Sequence, residues 1–228
     1  VPGNPPDAKH RGRVGFLFKK LIFYIIDKQW REYMRNERLP AEERKWQIRY
    51  CAKDVFLRKG FHNTTMEDVI SESGLSKGGV YRYYKSTTDM LYDLMEDGCI
   101  YRYNIVDNFL TANKNLDKYD IVSEMIVDKI LDDNELSKVY AMFLQEKQYD
   151  ENLEKLFLKL KEETFFDLNK LYKKFGFSFD FNEYNFITDF MNSLVLGREI
   201  LSAKNSFFKN RALIKNIVRE YLKNAEGE

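Results

Sequence analysis

Proline interrupts this chain almost nowhere. Of its 228 residues only 4 are proline and 11 glycine, and three of the prolines, Pro2, Pro5 and Pro6, fall at the start. A chain so poor in turn formers and helix breakers favours long helices over a turn-rich all-β fold. Apolar residues at 44% and charged residues at 32% suit a packed globular chain rather than a disordered one. The length accommodates one large domain or two modest ones. The 18 Phe and 15 Tyr can fill a core, line a pocket or cover a subunit interface.

The formal net charge is only +1, so any case for nucleic acid has to rest on local charge. Cys51 and Cys99 make neither a disulfide framework nor a zinc pattern. Both sit in apolar helical patterns, as buried free thiols would, and a reducing interior is compatible with that. The nearest approach to a membrane span, residues 17–26, is interrupted by Lys19 and Lys20 and falls short of the roughly 18 apolar residues required. The first residues lack the basic-then-apolar order of a secretory signal. A cytoplasmic location with no membrane partner is therefore expected.

Residues 1–40 read as an N-terminal extension. Its first 14 residues look disordered, and residues 15–38 turn helical around Phe16, Leu17, Leu21, Ile22, Ile25, Ile26 and Trp30. Up to residue 34, seven basic residues (Lys9, Arg11, Arg13, Lys19, Lys20, Lys28, Arg31) stand against three acidic ones (Asp7, Asp27, Glu32). The segment suits a DNA-backbone arm, an interfacial amphipathic helix, an accessory helix on the body, or sequence foreign to the natural protein. Met34, followed by a charged helix-like segment, is the expected natural start.

The most informative spacing lies between residues 42 and 85. Ile48, Cys51, Ala52, Val55 and Phe56 recur at three and four and make one apolar stripe. Gly60 ends that helix where a left-handed cap is easiest, with Arg58 and Lys59 in the last turn, where the helix dipole favours cations. Thr65 is an N-cap with Asp68 three residues on. Met66, Val69 and Ile70 give a short second helix its buried face, and Gly74 stops it. Ser76 caps a third helix, expected over residues 77–84. That helix opens with Lys77, Gly78 and Gly79. Two glycines in a first turn cost about 1 kcal/mol each against alanine, so a reason other than local stability is implied. Small residues at a helix tip let its N–H groups approach a phosphate or a base edge. Lys77, Arg82 and Lys85 are cations in a stretch with no acid. Two short helices across a tight turn describe a helix-turn-helix; the same spacing would fit a hairpin that merely ends a bundle.

The run Gly60-Phe61-His62-Asn63-Thr64-Thr65-Met66-Glu67-Asp68-Val69-Ile70, continued by Ser73-Gly74-Leu75-Ser76-Lys77-Gly78-Gly79-Val80-Tyr81-Arg82-Tyr83-Tyr84-Lys85-Ser86, resembles the N-terminal signature of the TetR family of regulators. The likeness covers about residues 44–95. It implies an all-α homodimer with an N-terminal DNA-binding domain and a larger helical domain, and in most members a small-molecule inducer and a repressor role. Carried onto this sequence, it implies DNA contacts at Thr65, Tyr81, Tyr83 and Lys85, with Lys77, Gly78 and Gly79 at the base-proximal tip; Arg82 joins them by its charge. Many relatives have His at the position of Tyr83, Phe at that of Tyr84 and a small side chain such as Thr at that of Gly79. The last departure removes one base-reading contact. Each residue also has a plainer reading: Tyr84 as core, Tyr81 as a packed ring, Lys85 as surface charge, Thr65 and Ser76 simply as caps.

The expected fold is all-α, a helix-turn-helix DNA-binding domain over 41–96 followed by a helical ligand-binding and dimerisation domain over 97–228. Ser86 caps a fourth helix carrying Met90, Leu91, Leu94 and Met95, the natural lever between reader and body. Further helices are expected at 98–112, 119–131, 134–148, 151–174, 182–203 and 208–223. Apolar faces near the end, with Phe186, Ile187, Phe190, Met191, Leu194, Val195 and Leu201 in one and Leu213, Ile214, Ile217, Val218, Tyr221 and Leu222 in the other, fit a four-helix dimer interface or a single monomer core. The aromatics Tyr92, Tyr101, Tyr103, Phe109, Phe143, Phe157, Phe165 and Phe166, with Glu124, Glu146, Glu162 and Glu163 near them in sequence, suit either a pocket for a hydrophobic cation or a neutral ligand site. They equally suit core.

No nucleophile elbow, HExxH or CxxC pattern is present, and His10 and His62 stand in no catalytic or metal-ligand spacing. No enzyme activity, cofactor or metal is therefore expected. The expected partners are an operator in double-stranded DNA, a second copy of the chain and a small-molecule effector. A ligand-independent activator or structural DNA-binding protein is the alternative, with a helical enzyme behind it.

Overall fold

In a computed structural model, residues 39–113, 116–176 and 185–225 are described, and every regular element among them is an α-helix. The helices are α1 (Ala41–Lys59), α2 (Met66–Ser73), α3 (Lys77–Tyr81), α4 (Thr87–Ala112), α5 (Lys118–Leu131), α6 (Glu135–Glu146), α7 (Glu151–Lys174), α8 (Asn185–Ile200), α9 (Lys204–Lys209) and α10 (Arg211–Ala225). The expectations for residues 1–38 lie outside the described residues. The chain forms two compact units. One holds the described residues up to Arg58 together with Asn63–Leu94; the other holds Lys59–His62 and the described residues from Met95 onward.

The first unit is built from the stripes that periodicity picks out. Ile48, Ala52, Val55 and Phe56 of α1 are buried, as are Val69 of α2 and Val80 of α3. Met90, Leu91 and Leu94 from the first turns of α4 are buried as well. Burying side chains of this size removes about 1.5–3 kcal/mol of unfavourable exposure each. Tyr84 joins this core at 2% exposure. Its hydroxyl donates to Asp93 Oδ2 at 2.7 Å and lies 3.2 Å from the Lys45 carbonyl. A phenol that deep needs such partners.

In the second unit, α5 is the central strut. One core cluster joins Ile121, Val122 and Met125 of α5 to Val106 and Leu110 of α4, Leu171 and Tyr172 of α7, Ile187 of α8, and Val218 and Leu222 of α10. A second joins Val127, Ile130 and Leu131 to Met191 and Ile214. Opposite charges line the α5–α10 seam. Arg211 pairs with Glu124 and with Asp128 at 2.7 Å, Lys215 with Glu124 at 3.1 Å, and Arg219 with Asp120 at 2.9 Å. The Arg211 hydrogen bond holds the Glu124 carboxyl below its ordinary range. These pairs are partly exposed, so each contributes at most about 1 kcal/mol; they set which edges meet.

Several boundaries differ from the sequence reading. The expected fourth helix and the span 98–112 are one continuous helix, α4, because Gly98 sits inside it without breaking it. The span 208–223 divides into α9 and α10 at Asn210, whose N–H closes on the carbonyls of Ser206 and Phe207. The span 182–203 ends at Ile200; Ser202 has φ 55°, a left-handed conformation that no α-helix continues. The third helix stops at Tyr81 rather than at 84, where the Tyr83 N–H closes a tighter three-residue turn on the Val80 carbonyl at 2.9 Å.

Candidate nucleic-acid interface and ligand cavity

The turn between α2 and α3 is fixed at each end by capping. Thr65 precedes α2 with extended backbone. Its Oγ1 accepts from Asp68 N–H at 3.2 Å while Asp68 Oδ2 accepts from Thr65 N–H at 2.9 Å, which is the capping box the spacing predicts. Gly74 closes α2 at φ 66°, with its N–H on the Ile70 carbonyl at 3.1 Å; a side chain there would be strained. Ser76 Oγ then accepts from Gly79 N–H at 3.1 Å and opens α3. A second capping box, Ser86 with Asp89, starts α4. Across the elbow, Arg58 of α1 pairs with Glu72 of α2 at 2.6 Å.

The predicted site residues all remain open to solvent. Thr65, Lys77, Gly78, Arg82 and Lys85 are exposed, and Gly79, Tyr81 and Tyr83 are half-buried. Val80 and Tyr84 point into the core, so α3 presents one face outward. Lys77 Nζ lies 3.4 Å from Glu67 and 5.6 Å from the Tyr81 ring centroid. Arg82 stacks its guanidinium 5.9 Å from the Tyr83 ring. Lys85 donates to the Tyr81 carbonyl and thereby caps α3. The two glycines differ. A Cβ at Gly78 would meet no atom within 4 Å, whereas one at Gly79 would stand 3.2 Å from Ser76 Oγ.

A cavity of about 140 Å³ lies inside the second unit. Tyr101 from α4, Tyr140 and Phe143 from α6, and Phe157 and Phe165 from α7 supply its rings. Its charged lining residues are Arg102, Lys129 and Lys161, all basic. None of Glu124, Glu146, Glu162 and Glu163 lines it; Glu124 is turned to Arg211 and Lys215 instead. Of the aromatics singled out by sequence, Tyr92, Tyr103, Phe109 and Phe166 are absent from the lining, with Tyr103 and Phe109 packed on the core cluster and Phe166 71% exposed. Lys129 is the residue the sequence reading misses. The signal was present: it stands four residues after Met125 and eight after Ile121, on a stripe otherwise buried and apolar.

Among the described residues there is no group of three His, Cys, Asp or Glu side chains placed to hold a metal, and no helix is long and apolar enough to cross a membrane.

With this geometry in place, comparison with known proteins is specific for the first unit. Residues 51–94 match the family described as bacterial regulatory proteins, tetR family. The match runs from the second half of α1 to the first turns of α4, and the likeness to the family is carried by this segment. The uncharacterized HTH-type transcriptional regulator YfiR of Bacillus subtilis is 51% identical over 57 residues, which are 25% of this chain and 28% of that protein. The chain thus matches only about 28% of the length of this curated relative. Solved structures extend the likeness in fold beyond this segment. GusR of Salmonella enterica aligns over 82% of this chain and all of its own with a TM-score of 0.60 at 13% identity. The fatty acid degradation regulator FadR of Bacillus halodurans covers 81% of this chain and 97% of its own at TM-score 0.59 and 17% identity. At such identities the shared property is the all-α fold.

Proposed function

We propose that this chain is a sequence-specific DNA-binding transcriptional regulator of the TetR family that acts as a homodimer, and that it represses until a small organic effector enters the cavity of the second unit. The observation that carries the reading is the outward face of α2 and α3. It combines a capped helix tip with open backbone at Gly78, three exposed cations and two half-buried tyrosines, within a matched reader domain. In this reading Lys77, Gly78 and Gly79 approach the major groove. Thr65, Tyr81, Arg82, Tyr83 and Lys85 hold the flanking phosphates.

The homodimer is supported by how the terminal stripes divide. Ile187, Met191, Val195, Ile214, Val218 and Leu222 are consumed by the chain's own core, while Phe186, Leu201, Leu213 and Ile217 are between 43% and 76% exposed. A second copy would cover that apolar set and pair two readers on a palindromic operator.

The test is binding to DNA flanking the protein's own gene, measured across a salt series. A protected palindrome and a dimer by light scattering are expected. Lys77→Ala and Arg82→Ala should each weaken binding and lower the salt slope by about 1. Unchanged affinity and slope in both variants would refute this placement of the DNA face.

A further inference from the structure

Lys129 of α5 is a half-buried cation on the lining of the cavity in the second unit. Among the described residues it forms no ion pair; its one specific contact is with the Tyr140 ring, 5.4 Å from Nζ to centroid. A buried ammonium without a carboxylate is rare, because desolvation is unfavourable unless something pairs with it.

No residue lining the cavity carries a negative charge, although Glu96 and Glu163 lie near enough to act on the Cys99 thiol. From α4, Cys99, Tyr101 and Arg102 face the cavity; from α6, Tyr140; from α7, Lys161; the residues of α8 that line it are not titratable. Burial pushes up the Cys99 thiol and the Tyr101 and Tyr140 phenols, so all three stay neutral. Arg102 is already matched by Asp132 at 2.8 Å. The Tyr140 hydroxyl is committed to Asn192 Oδ1 at 2.9 Å. Part of the lining is aromatic, with Phe143 and Phe157 at 6.3 Å between centroids.

We propose that this cavity binds a small organic carboxylate, with the Lys129 ammonium as its counter-ion and the Phe143–Phe157 wall taking its apolar body. The proposal rests on the reading of the cavity as the effector site. The volume of about 140 Å³ suits a body of one ring or a short alkyl chain, since a cavity of about 150 Å³ admits benzene. Such a ligand removes the unpaired charge and fills the apolar space in one step. A cationic ligand would instead meet Arg102, Lys129 and Lys161.

Calorimetric titration of the full chain with benzoate and hexanoate, against benzamide, hexanamide and benzylamine, tests the assignment. The carboxylates should bind at least about tenfold tighter than the amides, and the amine should not bind. Burial and the Arg102 charge lower the Lys129 ammonium to about 8. Carboxylate affinity should therefore be flat between about pH 6 and 7.5, then fall by up to tenfold per pH unit above 8 as the free site loses its proton. Lys129→Met should remove the carboxylate preference and this pH profile, and Lys129→Arg should restore the preference. Should Lys129→Met fail to fold, the ligand series and pH profile on the unaltered chain decide alone. Equal affinity for carboxylate and amide, tighter binding of the amine, or no binding of any probe up to about 10 mM overturns the proposal. Release of operator DNA is read separately: carboxylate binding without release leaves the ligand chemistry standing and refutes the effector reading.

Discussion

Replacing Lys129 by methionine should stabilise the ligand-free chain. The two side chains have similar length and volume, so repacking is small. What changes is the charge. The Lys129 ammonium is lowered from 10.5 to about 8, first by burial and next by Arg102. That depression corresponds to about 3 kcal/mol of unfavourable charge burial below pH 8, an upper value because part of the side chain meets solvent through the cavity. The sign follows from proton counting. Between about pH 8 and 10.5 the folded chain binds fewer protons at this site than the unfolded chain does. The destabilisation is thus complete below pH 8 and fades as pH rises through that window. Lys129→Met lacks it throughout. Chemical denaturation at pH 7 should show the variant more stable by about 1–3 kcal/mol, with the gap closing towards pH 10. In a chain of this length that gain is a rise in Tm of roughly 2–10 °C. A variant less stable than the parent at pH 7, or a gap that does not change with pH, would refute the view of Lys129 as an unpaired interior charge.

Two further substitutions probe the two units. Arg198 is buried and its guanidinium donates to the carbonyls of Ile130 and Asp132 at 2.7 and 2.6 Å and to Ser137 Oγ, closing the C-terminal end of α5. Arg198→Met orphans those acceptors and Glu199, and should lower stability by about 3 kcal/mol in denaturant melts; a loss below about 1 kcal/mol would show that water replaces it freely. In the reader, Gly78→Ala meets open space and should stabilise by up to about 1 kcal/mol, whereas Gly79→Ala crowds Ser76 Oγ and should gain less or lose. Equal thermal shifts for the two would remove the structural distinction between them.

The first unit was legible because its determinants are local. Thr65 with Asp68, Gly74, and Ser76 each fix a helix end through atoms two to four residues away, so sequence spacing is nearly the geometry itself. Even there, the end of α3 escaped: the Tyr83 N–H tightens onto the Val80 carbonyl three residues back, and the Tyr84 ring is buried just beyond it. The cavity was illegible for the opposite reason. Sequence proximity set glutamates beside the aromatics, yet Glu124 is claimed by Arg211, 87 residues away, and the position that faces the rings is Lys129. The charged residues that line the cavity are consequently basic rather than acidic. Periodicity reports that a residue belongs to a buried stripe, but which partner meets it is a property of tertiary packing.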